Sequence, residues 1–532
     1  MLKLAILVTL RTGLPLILLP IIALPQSRPG APPEGARDRG ITLLQSGNFQ
    51  KAADEFQIAI GSNPRDAVAH DGLGVALAEL GRTTESISEF QKAVGLSDGF
   101  ASAHFHLALA YDRTDQVQPA VREYETVLRL EPGNTEARYA LSGICWKLGD
   151  REGAIALLRQ VVRGNVRFAA EAWQNLGLEL REVGQLDEAA AALRSALSLA
   201  PQAAASYTAL GRVQTEKGDF RVAVENLRRA TALAPDDGEC HYTLAEALRL
   251  SEDLEGAAAE FHRAIELNPR SSKSHRQLGI VLRQRGDYDG ARRELERAVA
   301  IDPDDAQAYY YLGSVRLKLN DTEGAIAALT RSVDLNGYDS ASRLALANAL
   351  SKAGRNSEAE EQRRKASDLK EVEANAGQSR VLLGSAVEHL NAGDIDSAIG
   401  ELRQAVKLSP EYPQAHTELA LALLRKGSHD AEAVQILRRA LELKDDAQGH
   451  LQLGLALEKT GQRTEALNSF RQAAQMAPST EEAHRELAKA AMAAGDWKSV
   501  IEESTAILAW DSDDAEARRN LAVAQRHLDR SS

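Results

Sequence analysis

Strict repetition constrains this chain more than any other feature. The stretch "AWQNLGLELREVGQLDEAAAALRSALSLAP" (Ala172 to Pro201) is followed at a 34-residue offset by "YTALGRVQTEKGDFRVAVENLRRATALAP" (Tyr207 to Pro235). On a 34-residue ruler, Gly or Ala returns at the eighth place, as Gly40, Gly74, Ala108, Gly177, Gly211, Gly279, Gly313 and Gly454, usually after Leu. Gly returns at the fifteenth place, from Gly47 and Gly81 through to Gly461 and Gly495. Ala marks the twentieth place, and Pro closes units at Pro64, Pro132, Pro201, Pro235, Pro269, Pro303, Pro410 and Pro478. A sequence this periodic describes one small unit used many times, because a unit that cannot bury its apolar face alone must stack on its neighbours.

Each place has a mechanical reason. Apolar residues at i, i+3, i+4 and i+7 on both sides of the mid-unit Gly predict two amphipathic helices joined by a tight turn. The mid-unit Gly supplies the left-handed conformation that ends the first helix. A small residue at the eighth place lets two helix backbones approach closely. Pro cannot continue the second helix, and Asp just after it, as in "PDD" at 235–237 and 303–305, is an N-cap for the next. Aromatics make up only 5% of the chain, and the abundant Ala and Leu suit helices.

The pattern resembles the tetratricopeptide repeat family. In the quoted stretch the matching residues are Trp173, Leu176, Gly177, Leu180, Gly184, Ala189, Leu193, Ala196 and Pro201. The resemblance implies an all-α fold, a right-handed superhelical solenoid of helix-turn-helix units, and a non-catalytic scaffold that binds a protein or peptide segment in its concave groove. Fourteen units are expected between about residue 33 and residue 514. The domain reading is a signal peptide or N-terminal anchor over 1–26, a flexible leader over 27–35, about ten repeats over 36–373, a seam at 374–378, about four repeats over 379–514, and a capping helix over 515–532. The seam is read from "SEAEEQRRKASDLKEVEANAGQS", an elongated second helix with Glu360/Arg364 and Glu361/Lys365 at i,i+4 spacing, broken at Gly377.

The N-terminus carries Lys3 and Arg11 ahead of an uncharged apolar run from Gly13 to Pro25. That length suits a signal-peptide core and falls short of the roughly 20 residues needed to span a bilayer. Export to the periplasm or outside the cell is therefore expected. The alternative is a membrane-anchored assembly factor for an envelope or secretion complex, touching the membrane only through an uncleaved N-terminus.

Three motifs for chemistry are absent: the sequence has no G-x-x-x-x-G-K-[ST] loop, no H-E-x-x-H and no C-x-x-C. The expectation is no enzyme activity and no cofactor. A net charge of −13 argues against nucleic acid, which needs clustered cations. His70, His104, His241, His275, His416, His450 and His484 all occupy the fourth place of their units. Equivalent places in stacked units stand about 8–10 Å or more apart, too far to share a metal, so these histidines are expected to be structural. Cys145 and Cys240 lie three repeats apart, beyond disulfide reach.

In the family, the second, fifth, ninth, twelfth and thirteenth places point into the groove. Carried onto this chain residue by residue, that gives an aromatic and aliphatic stretch of Phe105, Leu109, Tyr139 and Trp146. It also gives a basic cluster of Arg212, Tyr242, Arg249, Lys273, Arg276 and Arg283, with Tyr310 beyond it. Such a cluster on an acidic chain predicts an acidic partner, since Arg pairs bidentately with carboxylates. These residues are expected to be dispensable for folding. The Lys-Asn-Asn-Lys-Arg pattern by which family members grip acidic chaperone tails is not found.

Overall fold

The computed structural model describes residues 35–164, 167–427, 429–478, 480–510 and 514–529; residues 1–34, with the expected signal peptide or anchor and nearly all of the leader, lie outside that range. The described residues form 28 helices and no strand. They pair into fourteen hairpins of consecutive antiparallel helices, followed by a last helix, Ala515–Asp529. Most helices are 13 or 14 residues long, as in Ala204–Glu216 and Phe220–Leu233 of the sixth hairpin. The exception is Asn356–Ala392, which serves as the second arm of the tenth hairpin and the first arm of the eleventh.

The turn chemistry explains the period. Eleven glycines, from Gly47 to Gly495, adopt positive φ, and all lie at the fifteenth place. Three hairpins put another residue there in the same left-handed conformation: Asp115, Glu252 and Asn320. At the eighth place a Cβ on Gly211 would stand 2.4 Å from Leu227 Cγ of the facing helix. That is closer than atoms can pack, so the two arms require a glycine there. Acidic residues cap both kinds of helix: Asp66, Asp237, Asp305, Asp339 and Asp446 cap first helices, while Asp150, Asp253, Asp287, Asp321 and Asp394 cap second helices. Each carboxylate accepts an otherwise orphaned backbone N–H.

The expected break at Gly377 is corrected. The helix runs on without interruption from Asn356 to Ala392. One glycine costs a helix only about 1 kcal/mol, and the segment around it has no proline and good helix formers on both sides. Glu361 and Lys365 pair as expected, at 2.6 Å, whereas Arg364 faces Asp368 at 3.8 Å rather than Glu360. Ser379 Oγ, buried, donates to Ala405 O at 2.9 Å and ties the later part of the helix to its own hairpin.

The chain divides at other places: one compact unit comprises residues up to 166 together with those from 444 onward, and the other comprises 167–443. The first holds hairpins one to four, thirteen and fourteen and the last helix; the second holds hairpins five to twelve. Its core includes Leu227, Phe261, Leu278 and Leu295, while Phe56, Phe90, Tyr124 and Leu141 are core residues of the first. In the first unit the second helix of hairpin three, Val117–Leu130, packs against the second helix of hairpin fourteen, Trp497–Trp510. Cys145 and Cys240 are both buried on first helices and are not joined in a disulfide.

Candidate functional site

The fourth-place histidines form a repeated clamp. In His70, His241, His275 and His484, Nδ1 meets a glutamate of the same hairpin's second helix, and Nε2 meets the carbonyl of the proline closing the preceding hairpin. The spacing is constant, 19 residues forward and 6 back; His275, for example, reaches Glu294 at 2.6 Å and Pro269 O at 3.1 Å. His104 does the same with Glu123 and with the carbonyl of Asp98. The hydrogen bond from His275 holds the Glu294 carboxyl below the usual glutamate range. These side chains join hairpin to hairpin, and among the described residues no group of three or more His, Cys, Asp or Glu is placed to hold a metal ion.

The fifth place looks along the array, toward the first helix of the next hairpin. Arg37, Arg276 and Arg485 at this place reach Asp66, Asp305 and Asp514 at 3.3, 2.7 and 2.7 Å. Each of these aspartates also accepts a backbone N–H at the start of the next first helix. Several expected groove residues are therefore corrected. Phe105 is 8% exposed and meets Tyr124 edge-on at 5.8 Å, and Leu109 packs on the same core. Tyr242 is 2% exposed, stacks edge-on against Phe261 at 5.5 Å and donates from its hydroxyl to Glu246 at 2.6 Å. Burial and the Glu246 carboxylate push its phenol far above the ordinary tyrosine value. Tyr310 is half-buried and packs on the core around Leu346. Tyr139 is half-buried as well.

The basic cluster separates into two kinds of side chain. Arg276, bound to the capping Asp305, is part of the fold, and so is Arg212, which contacts Glu239 and donates to Thr243 Oγ1 at 2.9 Å. These bonds tie both arginines to neighbouring first helices. Arg249, Lys273 and Arg283 take part in no ion pair among the described residues. Lys273 is exposed, with Nζ 3.9 Å from the centroid of the Tyr242 ring. The Arg283 guanidinium lies 5.3 Å from the Tyr311 centroid, and Tyr311 meets Tyr310 edge-on at 5.1 Å. The Nε atoms of Arg249 and Arg283 are buried and have no hydrogen-bond partner. Both arginines are at the twelfth place, one repeat apart on neighbouring first helices. Trp146 occupies that place in hairpin four, in the other unit, half-buried with the Arg151 guanidinium 5.6 Å from its ring.

Family models described as tetratricopeptide repeat match residues 37–99, 208–272, 276–340, 383–448 and 451–499, and two further models of that description match 108–176 and 170–203. The chain is a tetratricopeptide repeat protein. Tetratricopeptide repeats build protein–protein interaction scaffolds, typically without catalysis of their own. No curated protein matches this tetratricopeptide repeat chain significantly. Among solved structures it is similar to the Cut9–Hcn1 hetero-tetramer of the APC/C, at 16% identity and a TM-score of 0.34, covering 86% of this chain and 96% of that one. It is also similar to MamA from Desulfovibrio magneticus RS-1, at 26% identity and a TM-score of 0.30, over 31% of this chain and 94% of the other. A third is YrrB, described as a repeat protein with an unusual peptide-binding site, at 25% identity and a TM-score of 0.31, over 35% and 95%.

Two features of this tetratricopeptide repeat protein escaped sequence reasoning, though both left a trace. The Arg276–Asp305 bond repeats a 29-residue spacing found in Arg37/Asp66 and Arg485/Asp514. Tyr311 lies in the run Tyr309, Tyr310, Tyr311, which signals an aromatic shelf without saying which ring supports a cation.

Proposed function

We propose that the chain is an exported protein–protein interaction scaffold, and that an acidic segment of its partner lies along the first helices of hairpins seven and eight. One observation carries the reading. Arg249, Lys273 and Arg283 keep positive charge that no ion pair among the described residues neutralises, although the protein as a whole is at −13. A neighbouring cation at the fifth place, Arg276, is consumed by the helix cap Asp305. A cation held by an aromatic ring and left without a carboxylate is pre-positioned for one from outside. The reading of export rests on the charge and length pattern of residues 1–26.

The test is binding of Asp- and Glu-rich peptides to the full chain and to Arg249→Glu with Arg283→Glu. Groove contacts of this kind contribute about 1–2 kcal/mol per charged pair and weaken with salt, so the double reversal should lower affinity roughly tenfold or more with unchanged helicity. Retained binding in that variant, lost instead in Trp146→Ala with Tyr139→Ala, overturns the basic reading. For export, a reporter enzyme active only outside the cytoplasm, fused after residue 40, should be active; an inactive fusion made at normal levels overturns that part.

A further inference from the structure

Glu125 is on the outward side of the second helix of hairpin three, yet it is 5% exposed. At the same place in other hairpins Gln57, Gln91, Arg228 and His262 are exposed. What covers Glu125 is the fourteenth hairpin, where Val117–Leu130 packs on Trp497–Trp510; Gln118 Nε2 also donates to Gln475 O of hairpin thirteen at 2.9 Å. The two hairpins are thus clasped within one compact unit, although they are far apart in the sequence.

The groups at the clasp favour extra protons. His484 has Nδ1 2.5 Å from the Glu503 carboxylate and Nε2 3.0 Å from the carbonyl of Pro478, so both ring nitrogens face acceptors. Only the doubly protonated imidazolium donates to both. Glu125 faces this pair with Oε1 buried and without a hydrogen-bond partner. Arg122 on its own helix and Glu502 on the opposing one also act on it, and both are exposed. A second carboxylate ionised here would be desolvated and would repel Glu503; a carboxylic acid avoids both costs.

We propose that the clasp between hairpins three and fourteen is proton-operated, closed in acid and loosened in base, with Glu125 as the sensing group. Burial, with the nearby Glu503 and Glu502 carboxylates adding to it, raises the Glu125 carboxyl to about 8 from its ordinary 4.5, against the opposing pull of His484 and Arg122. For His484, burial disfavours the charged ring, but the Glu503 carboxylate, by its charge and its hydrogen bond, and the Pro478 carbonyl oppose it, with Glu125 adding to them where it is ionised, and the histidine is held above its ordinary value. Both groups bind protons more tightly in the closed form. Each therefore stabilises the clasp fully below its ordinary value and loses that contribution as pH rises through its closed-state value. For Glu125 alone, the closed-to-open ratio should fall roughly fifty-fold between about pH 6 and pH 8.

Hydrogen exchange on the full chain tests this. After correction for intrinsic exchange, protection of 117–130 and 497–510 should fall with rising pH relative to 254–267, a helix of the other unit. In Glu125→Gln, which mimics the protonated acid, the dependence between pH 6 and pH 8 should shrink to the part that His484 contributes while the clasp stays closed. A flat wild-type ratio, or an unchanged slope in Glu125→Gln, overturns the proposal. A second measurement leaves Glu125 intact. Spin labels at Arg129→Cys and Lys498→Cys, both exposed, should give one short distance at pH 6 and an added longer population at pH 8.5; the same distribution at both overturns it.

Discussion

Glu252 occupies at φ 66° a turn that eleven other hairpins give to glycine. An L-residue in this region crowds its Cβ against the carbonyl, at a cost of about 1–2 kcal/mol. Glycine returns about 0.5–1 kcal/mol of that through the greater freedom of its unfolded chain. The Glu252 side chain is exposed and takes part in no ion pair among the described residues, so its removal sacrifices little. Glu252→Gly is therefore expected to stabilise the seventh hairpin by about 0.5–1 kcal/mol. The mirror change is Gly286→Glu in the eighth hairpin, at φ 84°, where an added Cβ meets nothing within 4 Å. Its cost is that of the backbone alone, of similar size and opposite sign. Long repeat arrays do not unfold in one step, so the readout is amide exchange in 238–267 and 272–301. Exchange should slow about two- to fivefold in Glu252→Gly and quicken by a similar factor in Gly286→Glu. Faster exchange in the first variant, or none of the expected loss in the second, would refute the argument that backbone conformation alone sets the glycine at this place.

Asp305 Oδ1 accepts from Ala308 N at 2.9 Å while Oδ2 accepts from Arg276 Nη1 at 2.7 Å, so Asp305→Ala should destabilise the ninth hairpin by about 1–3 kcal/mol, read as faster amide exchange in 306–335. Asp305→Asn, which keeps the cap, should recover part of this, and unaltered exchange in Asp305→Ala would remove Arg276 from the fold and return it to the groove. Glu294, held below its ordinary value first by the hydrogen bond from His275, stabilises the fold above that value and loses this as pH falls through its lower folded-state value. Amide protection of 272–301, corrected for intrinsic exchange, should therefore drop in acid, and drop less in Glu294→Gln; equal slopes for the two proteins would count against the clamp.

Groove and core proved hard to separate in the sequence because successive helical residues differ by about 100° around the axis. A ruler that fixes the eighth and fifteenth places well still leaves the fifth place ambiguous between the groove and the next hairpin. Phe105 and Tyr242 were assigned to the wrong side of that boundary, and Arg276 to a free cation rather than to a helix cap. Arg249 and Arg283, at the twelfth place, lie on first helices and take part in no ion pair among the described residues.

By itself the sequence determined the hairpin: the left-handed turn, the close approach at Gly211, and the capping aspartates all depend on atoms within a single repeat or its immediate neighbour. It also determined the family, because a stack of identical units repeats the same local solution. Only the tertiary structure decided that the helix at Gly377 continues, which cations are neutralised, and that Glu125 is buried by a hairpin near the other end of the chain. The reason is physical. Local rules carry no information about which distant helix will cover an outward face, and the state of a charge depends on the groups that finally surround it.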